Sequence, residues 1–427
     1  MKLESLKNKK ILILGFGREG KDTFNALRYL FPKKKLAIAD QKKIHLSFKN
    51  IKTFFGKDYL KSLKKYQVII KTPGIAFKDI KRYLKKNHII TSQSNLILNN
   101  FSGKIIGVTG TKGKGTTASL IYKVLKKANF NIDLGGNIGK PLLLKLVKKD
   151  LSDILVYEFS AQQLEIVNNS PYIALFLNLY PAHLNYFKDF ESYKKAKSNI
   201  FKFQKKDDYL IFYKNQSILR KIVKKSKAQK IGFSKQRLNK FKKEIGKINL
   251  IGDFNFLNIL AAFKVAKIFN INKKLFINSV KDFKGLPHRM EFVAKKQGIK
   301  FYNDSLATVP QATILGIKNF KNDLKTLILG GENNNLKLND LVKEILKSNI
   351  NNLILFPETG KNIKEILENK KSNINYVLVD NMERAVKLAF KYTSNGVCLL
   401  SPGAPSFNLF KNYKQRGDLY KKYVTKF

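Results

Sequence analysis

The segment KIIGVTGTKGKGTTASLIYKVLKK, residues 104–127, constrains this chain more than any other stretch. A short apolar run stops at Gly110, and a loop rich in glycine and lysine follows to Thr116. Leu120, Ile121, Val124, Leu125 and Ala128 then recur on one face of a helix. A strand, a glycine loop and a helix in that order place several backbone N–H groups at a helix N-terminus, where they cradle phosphate oxygens. Lys114 is positioned to reach the outer phosphates, so Gly110, Thr111, Lys112, Gly113, Lys114, Gly115 and Thr116 are the expected ATP-phosphate site. The loop is shorter than a full P-loop, and Gly115 follows the lysine where a serine or threonine is usual. A hydroxyl for Mg²⁺ would then come from Thr116 or from elsewhere.

A different glycine cluster opens the chain. Residues 11–14 form an apolar strand, Gly15-x-Gly17-x-x-Gly20 follows, a helical stretch runs to Leu30, and a second strand over 36–39 ends in Asp40. This is the fingerprint of a diphosphate bound at a helix N-terminus. It fits a nicotinamide or flavin cofactor, and equally another diphosphate such as a UDP-sugar. Strand 68–70 runs into Thr72-Pro73-Gly74, which completes a parallel βαβ pattern. Toward the C-terminus, strands at 300–302, 326–329, 353–356, 376–379 and 397–400 alternate with helical stretches. With roughly 150 residues to a domain, 427 residues make about three. The expected fold is α/β: a Rossmann-like N-terminal domain (1–98), a central P-loop-type mononucleotide-binding domain (99–286) and a Rossmann-like C-terminal domain (287–427).

The net charge of +53 invites a nucleic-acid reading, but only eight of the 83 basic residues are arginines and the lysines are spread through every segment. Specific readers of nucleic acid concentrate arginine forks on one face. A lysine-coated enzyme is therefore expected, with no specific nucleic-acid partner. No run of about 18 apolar residues is present, so no membrane insertion is expected. The basic, apolar start of the chain breaks into glycines and reads as a first strand rather than a signal peptide. The lone Cys398 excludes an internal disulfide and fits a reducing cytoplasm.

Two further residues stand at the carboxyl ends of strands, where α/β sheets place ligands. Glu158 follows strand 154–157 and is a candidate Mg²⁺ ligand; His183 lies beyond strand 173–177. The loop at 110–116, Glu158-Phe159-Ser160-Ala161-Gln162-Gln163-Leu164-Glu165 and Asn178 with His183 together resemble the central domain of the Mur ligases. Residues 193–197, Gly285-Leu286-Pro287-His288-Arg289-Met290-Glu291 and Asn303-Asp304-Ser305 continue the resemblance in order. Gly135-Gly136-Asn137-Ile138-Gly139 and Ser401-Pro402-Gly403-Ala404-Pro405-Ser406 are most similar to the glutamate-adding branch.

That resemblance implies a ligase that activates a carboxylate as an acyl phosphate and joins it to an amino acid. Its substrates would be ATP, UDP-N-acetylmuramoyl-L-alanine and glutamate, preferentially the D-enantiomer, with two Mg²⁺ ions. Gly15, Phe16, Gly17, Arg18, Asp40, Thr72, Pro73 and Gly74 would contact the UDP part; Asn137 and Gln163 would position the muramoyl part. Lys114, His183 and Lys197 would serve catalysis, and Thr116, Glu158, His183 and Lys197 the metals, with Lys197 carbamylated. Asn255 and Asn258 would lie against adenine, and Arg289 and Asp304 would meet ATP. Thr308, Ser406 and Tyr413 match positions that hold the incoming glutamate. A monomer is expected, closing by a hinge motion.

Several positions depart from the family pattern. They are Gly115, Ala182 and Asn185 beside His183, Phe254 before Asn255, Leu306 within the 303–306 motif, and Asn334 where a glutamate-binding lysine is usual. The last two bear on the amino acid accepted, and L-glutamate is the alternative. A folylpolyglutamate synthase would lack the hundred residues before the loop. A nicotinamide-dependent dehydrogenase would leave the loop, Glu158 and His183 without a role.

Overall fold

The computed structural model describes the chain except for residues 47–48, 184, 247, 249, 251 and 334–335. Asn334 therefore lies outside the described residues. Three open sheets organise the rest. In the first, β1 (Ile11–Leu14), β2 (Leu36–Asp40), β3 (Ile51–Phe55), β4 (Val68–Lys71) and β5 (Ile89–Thr91) lie in the order β3-β2-β1-β4-β5, all parallel. β1 and β4 are buried at every position, as parallel strands covered on both faces are. The edge strand β3 is largely solvated. Chain order reverses at β1, and such a switch opens a crevice at the carboxyl ends of β1 and β4.

The second sheet contains β6 (Lys104–Thr109), β7 (Ile132–Gly136), β8 (Ile154–Glu158), β9 (Ile173–Phe176), β10 (Tyr209–Tyr213) and β11 (Gln229–Phe233). Their order is β11-β10-β9-β6-β8-β7, again all parallel. Here the reversal falls at β6, so the loop after it emerges between the ends of β8 and β9. The third sheet contains β12 (Glu291–Lys296), β13 (Ile299–Asn303), β14 (Leu324–Gly331), β15 (Asn352–Glu358), β16 (Asn375–Leu378) and β17 (Gly396–Leu400), ordered β12-β13-β17-β14-β15-β16. Only the β12–β13 pair is antiparallel among these. The run β16-β15-β14-β17 repeats the order β3-β2-β1-β4 of the first sheet, which makes both ends of the chain Rossmann-like. Side-chain alternation splits the third core in two: Leu327, Leu353 and Leu399 face one cluster, while Ile328, Ile354 and Leu400 face the other.

Residues Met1–Ile245 and Phe256–Val280 form one compact unit, which holds the first two sheets. Residues Gly246–Asn255 and Lys281–Phe427 form a second, which holds the third sheet. The helix Gln93–Asn100 straddles the expected boundary at 98, and Gly246–Asn255 belong with the last sheet rather than with the central one. Among the described residues no helix is long and apolar enough to cross a membrane.

Close packing in the first sheet depends on Gly20, the last glycine of its cluster. A methyl group there would collide with the carbonyl oxygen of Gly15, itself held at φ +89°. Gly20→Ala should therefore cost about 1–3 kcal/mol of stability. Differential scanning calorimetry should show the earliest transition moved to lower temperature; an unchanged thermogram would refute the packing argument.

Candidate functional site

The phosphate loop is shaped by left-handed glycines and held from the side by an amide. Gly110 and Gly113 have φ of +159° and +83°, and Gly113 caps the helix Lys114–Lys127. The Asn258 side chain lies so close to Gly113 that no Cβ would fit between them. Asn178, just past β9, donates its Nδ2 to the Lys112 carbonyl at 2.9 Å, and its Oδ1 accepts the Lys112 N–H at 2.8 Å. The Thr111 hydroxyl lies 3.1 Å from the Tyr193 hydroxyl and accepts the Tyr180 N–H at 3.0 Å. These contacts hold the loop from within the protein.

Two lysines converge on the same loop carbonyl. Lys114 Nζ donates to Gly110 O at 3.1 Å and to Thr111 O at 3.2 Å. Lys197, on the helix Phe190–Lys202, is 1% exposed and donates to Gly110 O at 2.8 Å and to Thr109 Oγ1 at 3.2 Å. Its ammonium also lies 5.1 Å from the centre of the Tyr193 ring. Burial and the nearby Lys114 charge push the Lys197 pKa well down, against the pull of Glu158. His183 faces the same two lysines; partial burial and their charges lower its pKa, so its imidazole is neutral at pH 7. Glu158 ends β8, is buried, and accepts from Asn137 Nδ2 at 2.8 Å. Gly115 is buried while Thr116 is half-buried, so the hydroxyl of the neighbouring residue remains the accessible one. The fold thus gathers Lys114, Thr116, Glu158, His183, Lys197 and Asn258 around one sheet edge.

At the switch point of the first sheet lies a cavity of about 640 Å³. Gly15, Gly17, Arg18, Asp40, Thr72, Pro73 and Gly74 line it, and Asn137 joins from the second sheet. Two expected contacts are turned inward instead. The Phe16 ring is buried edge-on against Phe24, and the Phe16 N–H is taken by Asp40 Oδ2 at 2.7 Å. Gln163 is 2% exposed, and its amide works within the protein: Oε1 accepts the Ser160 N–H at 2.9 Å, and Nε2 donates to Glu19 Oε1 at 2.7 Å. Glu19, which lines the cavity in front of Gln163, was not among the expected residues. Its position inside Gly17-x-x-Gly20 was the available signal.

In the unit of the third sheet, Asp304 is buried and accepts from Ser401 Oγ at 3.0 Å and from the Met290 N–H at 3.2 Å. Burial lifts its pKa to about 7, opposed by the Ser401 and Met290 hydrogen bonds and then by the charge of the exposed Arg289. Ser406 is buried and its carbonyl accepts the Phe410 N–H; Thr308 and Tyr413 are half-buried. The Tyr413 carbonyl accepts from Ser305 Oγ at 2.8 Å. Arg416, missed in the sequence, is fully buried and stitches Ser305 to Ala404 through its guanidinium, which ties the 303–305 motif to the loop after β17. Asn255 is buried one turn before Asn258 on the helix Asp253–Ile268 and belongs to this unit.

Two family models match the chain: one described as Mur ligase middle domain over residues 108–266, and one described as Mur ligase, glutamate ligase domain over residues 288–404. Proteins named UDP-N-acetylmuramoylalanine–D-glutamate ligase are similar along almost the whole length. The one from Clostridium kluyveri is 34% identical over 449 residues, covering 98% of this chain and 97% of its own. The one from Acetivibrio thermocellus is 32% identical over 462 residues, covering 99% and 97%. Among solved structures, the MurF ligase of Thermotoga maritima in complex with ADP shares the fold, with a TM-score of 0.55 at 18% identity, covering 100% of this chain and 98% of that one.

The Glu19 carboxyl carries a pH signature. Burial raises its pKa from 4.5 to about 7, against the Gln163 hydrogen bond and the charges of Arg18 and Lys71. The folded state then binds the proton more tightly than the unfolded chain, so this group favours folding below pH 4.5 and loses that contribution as pH rises through 7. Glu19→Gln should melt higher than the parent at pH 8 and show no such gain at pH 4. Equal shifts at both values would remove the assignment.

Proposed function

This chain belongs to the Mur ligase family, and we propose that it joins D-glutamate to UDP-N-acetylmuramoyl-L-alanine with hydrolysis of ATP to ADP and phosphate. The observation that carries this reading is the convergence of Lys114 and Lys197 on the Gly110 carbonyl, with Glu158 and His183 at the same edge. Its setting in a chain similar from end to end to D-glutamate ligases supplies the substrate. ATP and UDP-sugars are cytoplasmic substrates, and we place the reaction in that compartment.

The loop N–H groups and Lys114 would hold the β- and γ-phosphates, and the L-alanyl carboxylate would attack the γ-phosphorus. Lys114 would neutralise charge spread over the transferring group. The resulting acyl phosphate would meet the glutamate amine, pass through a tetrahedral adduct and collapse to the amide with loss of phosphate. Gly15, Gly17, Arg18, Asp40, Thr72 and Gly74 would bind the UDP part in the cavity. Asn137, shared between the cavity and Glu158, would stand where the substrate passes from one sheet to the other. Arg289, Asp304, Thr308, Ser406 and Tyr413 would belong to ATP and glutamate.

Magnesium fits the residues present. Among the described residues no group of three His, Cys, Asp or Glu side chains could cage an ion alone. Mg²⁺ commonly needs only one or two protein oxygens beside substrate phosphates. Thr116 and Glu158 offer such oxygens. His183, kept neutral, and Lys197 would serve a second ion. Lys197 as an ammonium can only donate, but a buried lysine with a lowered pKa yields the neutral amine that reacts with CO₂, and the carbamate is an oxygen ligand. The ions would supply neutralisation of phosphate charge.

Purified protein should release phosphate from ATP only when UDP-N-acetylmuramoyl-L-alanine and D-glutamate are both present. Turnover with a folate or with a nicotinamide cofactor would sink the assignment, and equal rates with L-glutamate would remove the stereochemical part. Lys114→Ala should lower kcat at least a hundredfold while UDP-substrate affinity, read by calorimetry, stays within about threefold. Lys197→Ala should regain part of its activity in added acetate; no regain would exclude the carbamate.

A further inference from the structure

The turn after β4 and the loop that carries His183 are tied together through one buried lysine. Lys71 ends β4 and is 1% exposed. Its Nζ donates to the Ile75 carbonyl at 2.6 Å, to the Tyr186 hydroxyl at 2.9 Å and, more weakly, to the Thr72 carbonyl at 3.3 Å. The two carbonyls bracket the turn at 72–75, which lines the cavity. An ammonium has three protons, and each is directed to one of these acceptors. Glu165 Oε2 lies 3.6 Å from Nζ and 3.1 Å from the Tyr186 hydroxyl, completing a compact ion pair with a shared phenol.

On the far side, the backbone N–H groups of Tyr186 and Phe187 both donate to the His183 carbonyl at 3.0 Å. They hold His183 at φ +56°, a conformation that costs a non-glycine residue energy and persists only where its surroundings enforce it. A second lysine from the first sheet's side, Lys78, donates to the Asn185 carbonyl at 2.7 Å. The loop bearing His183 therefore takes its shape from residues of the first sheet as well as its own. A brace needed only for stability could be apolar, because burying a charged pair offers little net stability. What a fully bonded buried network does provide is a single geometry.

We propose that Lys71 and Tyr186 are positioning residues for ligation. Through them the turn at 72–75, with a UDP-sugar in the cavity, sets where His183 stands beside the phosphate loop. The proposal rests on the reading of the cavity and of His183 given above. It has a chemical rationale: the carboxylate to be phosphorylated arrives on the UDP-substrate, so a site assembled by that substrate avoids spending ATP on water.

The test uses Tyr186→Phe, Lys71→Met and the double variant of the full chain. Calorimetry reads the affinity for UDP-N-acetylmuramoyl-L-alanine, and initial rates at saturating substrates read kcat. Each single variant is expected to lose kcat on the order of tenfold while substrate Kd stays within about threefold. The double variant should fall no further than the worse single one, because a link is broken only once. Tyr186→Phe removes one oxygen and keeps the ring, so it carries the test if Lys71→Met fails to fold. Lower melting temperatures with kcat unchanged would overturn the proposal in favour of a simple brace, and so would multiplicative losses in the double variant. A parent protein that ligates nothing would instead overturn the underlying reading of the site.

Discussion

A lysine buried beneath the loop at 110–116 is the constraint on which the rest of the candidate site depends. Lys197 takes its bonds from one hydroxyl and one carbonyl, and a second lysine, Lys114, leans on the same carbonyl. Burial, and after it the Lys114 charge, disfavour the charged form of Lys197. The arrangement makes sense for an edge that receives a triphosphate: anion binding would relieve the repulsion, and the chain meets it with a loop already rigid. Asn178, Thr111 and Tyr193 supply that rigidity by consuming the loop's own donors and acceptors.

The three sheets share one topological device. Each places its functional residues at the carboxyl ends of strands, and in each the chain order reverses beside the strand that carries the glycines. β1 hands over to the cavity, β6 to the phosphate loop, and β14 to the glycine pair Gly330 and Gly331, against which the loop after β17 is packed. In the first unit, side chains that line or flank the cavity also reach residues of the second sheet's side: Asn137 bonds Glu158, Glu19 bonds Gln163, and Lys71 bonds Tyr186.

Legibility in the sequence followed the strength of local signals. Strands with apolar runs, such as β1, β6, β8 and β17, were evident, as were the helices after the two glycine clusters. β3 and β12 escaped because they are half-solvated edges with mixed polarity. β7 was hidden because its strand ends in two glycines, and β5 because it is only three residues long. The resemblance to Mur ligases named Lys114, Glu158, His183 and Lys197, which the fold does bring together. It could not say that Gln163 would direct its amide N–H to Glu19, because that depends on a contact 144 residues away.

By itself the sequence determined the class of chemistry: an apolar strand that must end at Gly110, glycines that permit the turn, and a lysine at the start of the helix leave little else for that segment to do. It also determined the order of the α/β units, since period and punctuation are local properties of a chain. Tertiary structure alone decided which charges are buried. Lys71 and Arg416 look like any other basic residue among 83, and local pattern alone does not mark Lys197 as enclosed, yet all three are almost wholly buried. Their altered proton affinities and their roles as bridges come from desolvation and from partners contributed by distant segments, such as the Tyr186 hydroxyl for Lys71, the Gly110 carbonyl for Lys197 and Ser305 for Arg416. Those are properties of the packed molecule, and no local pattern encodes them.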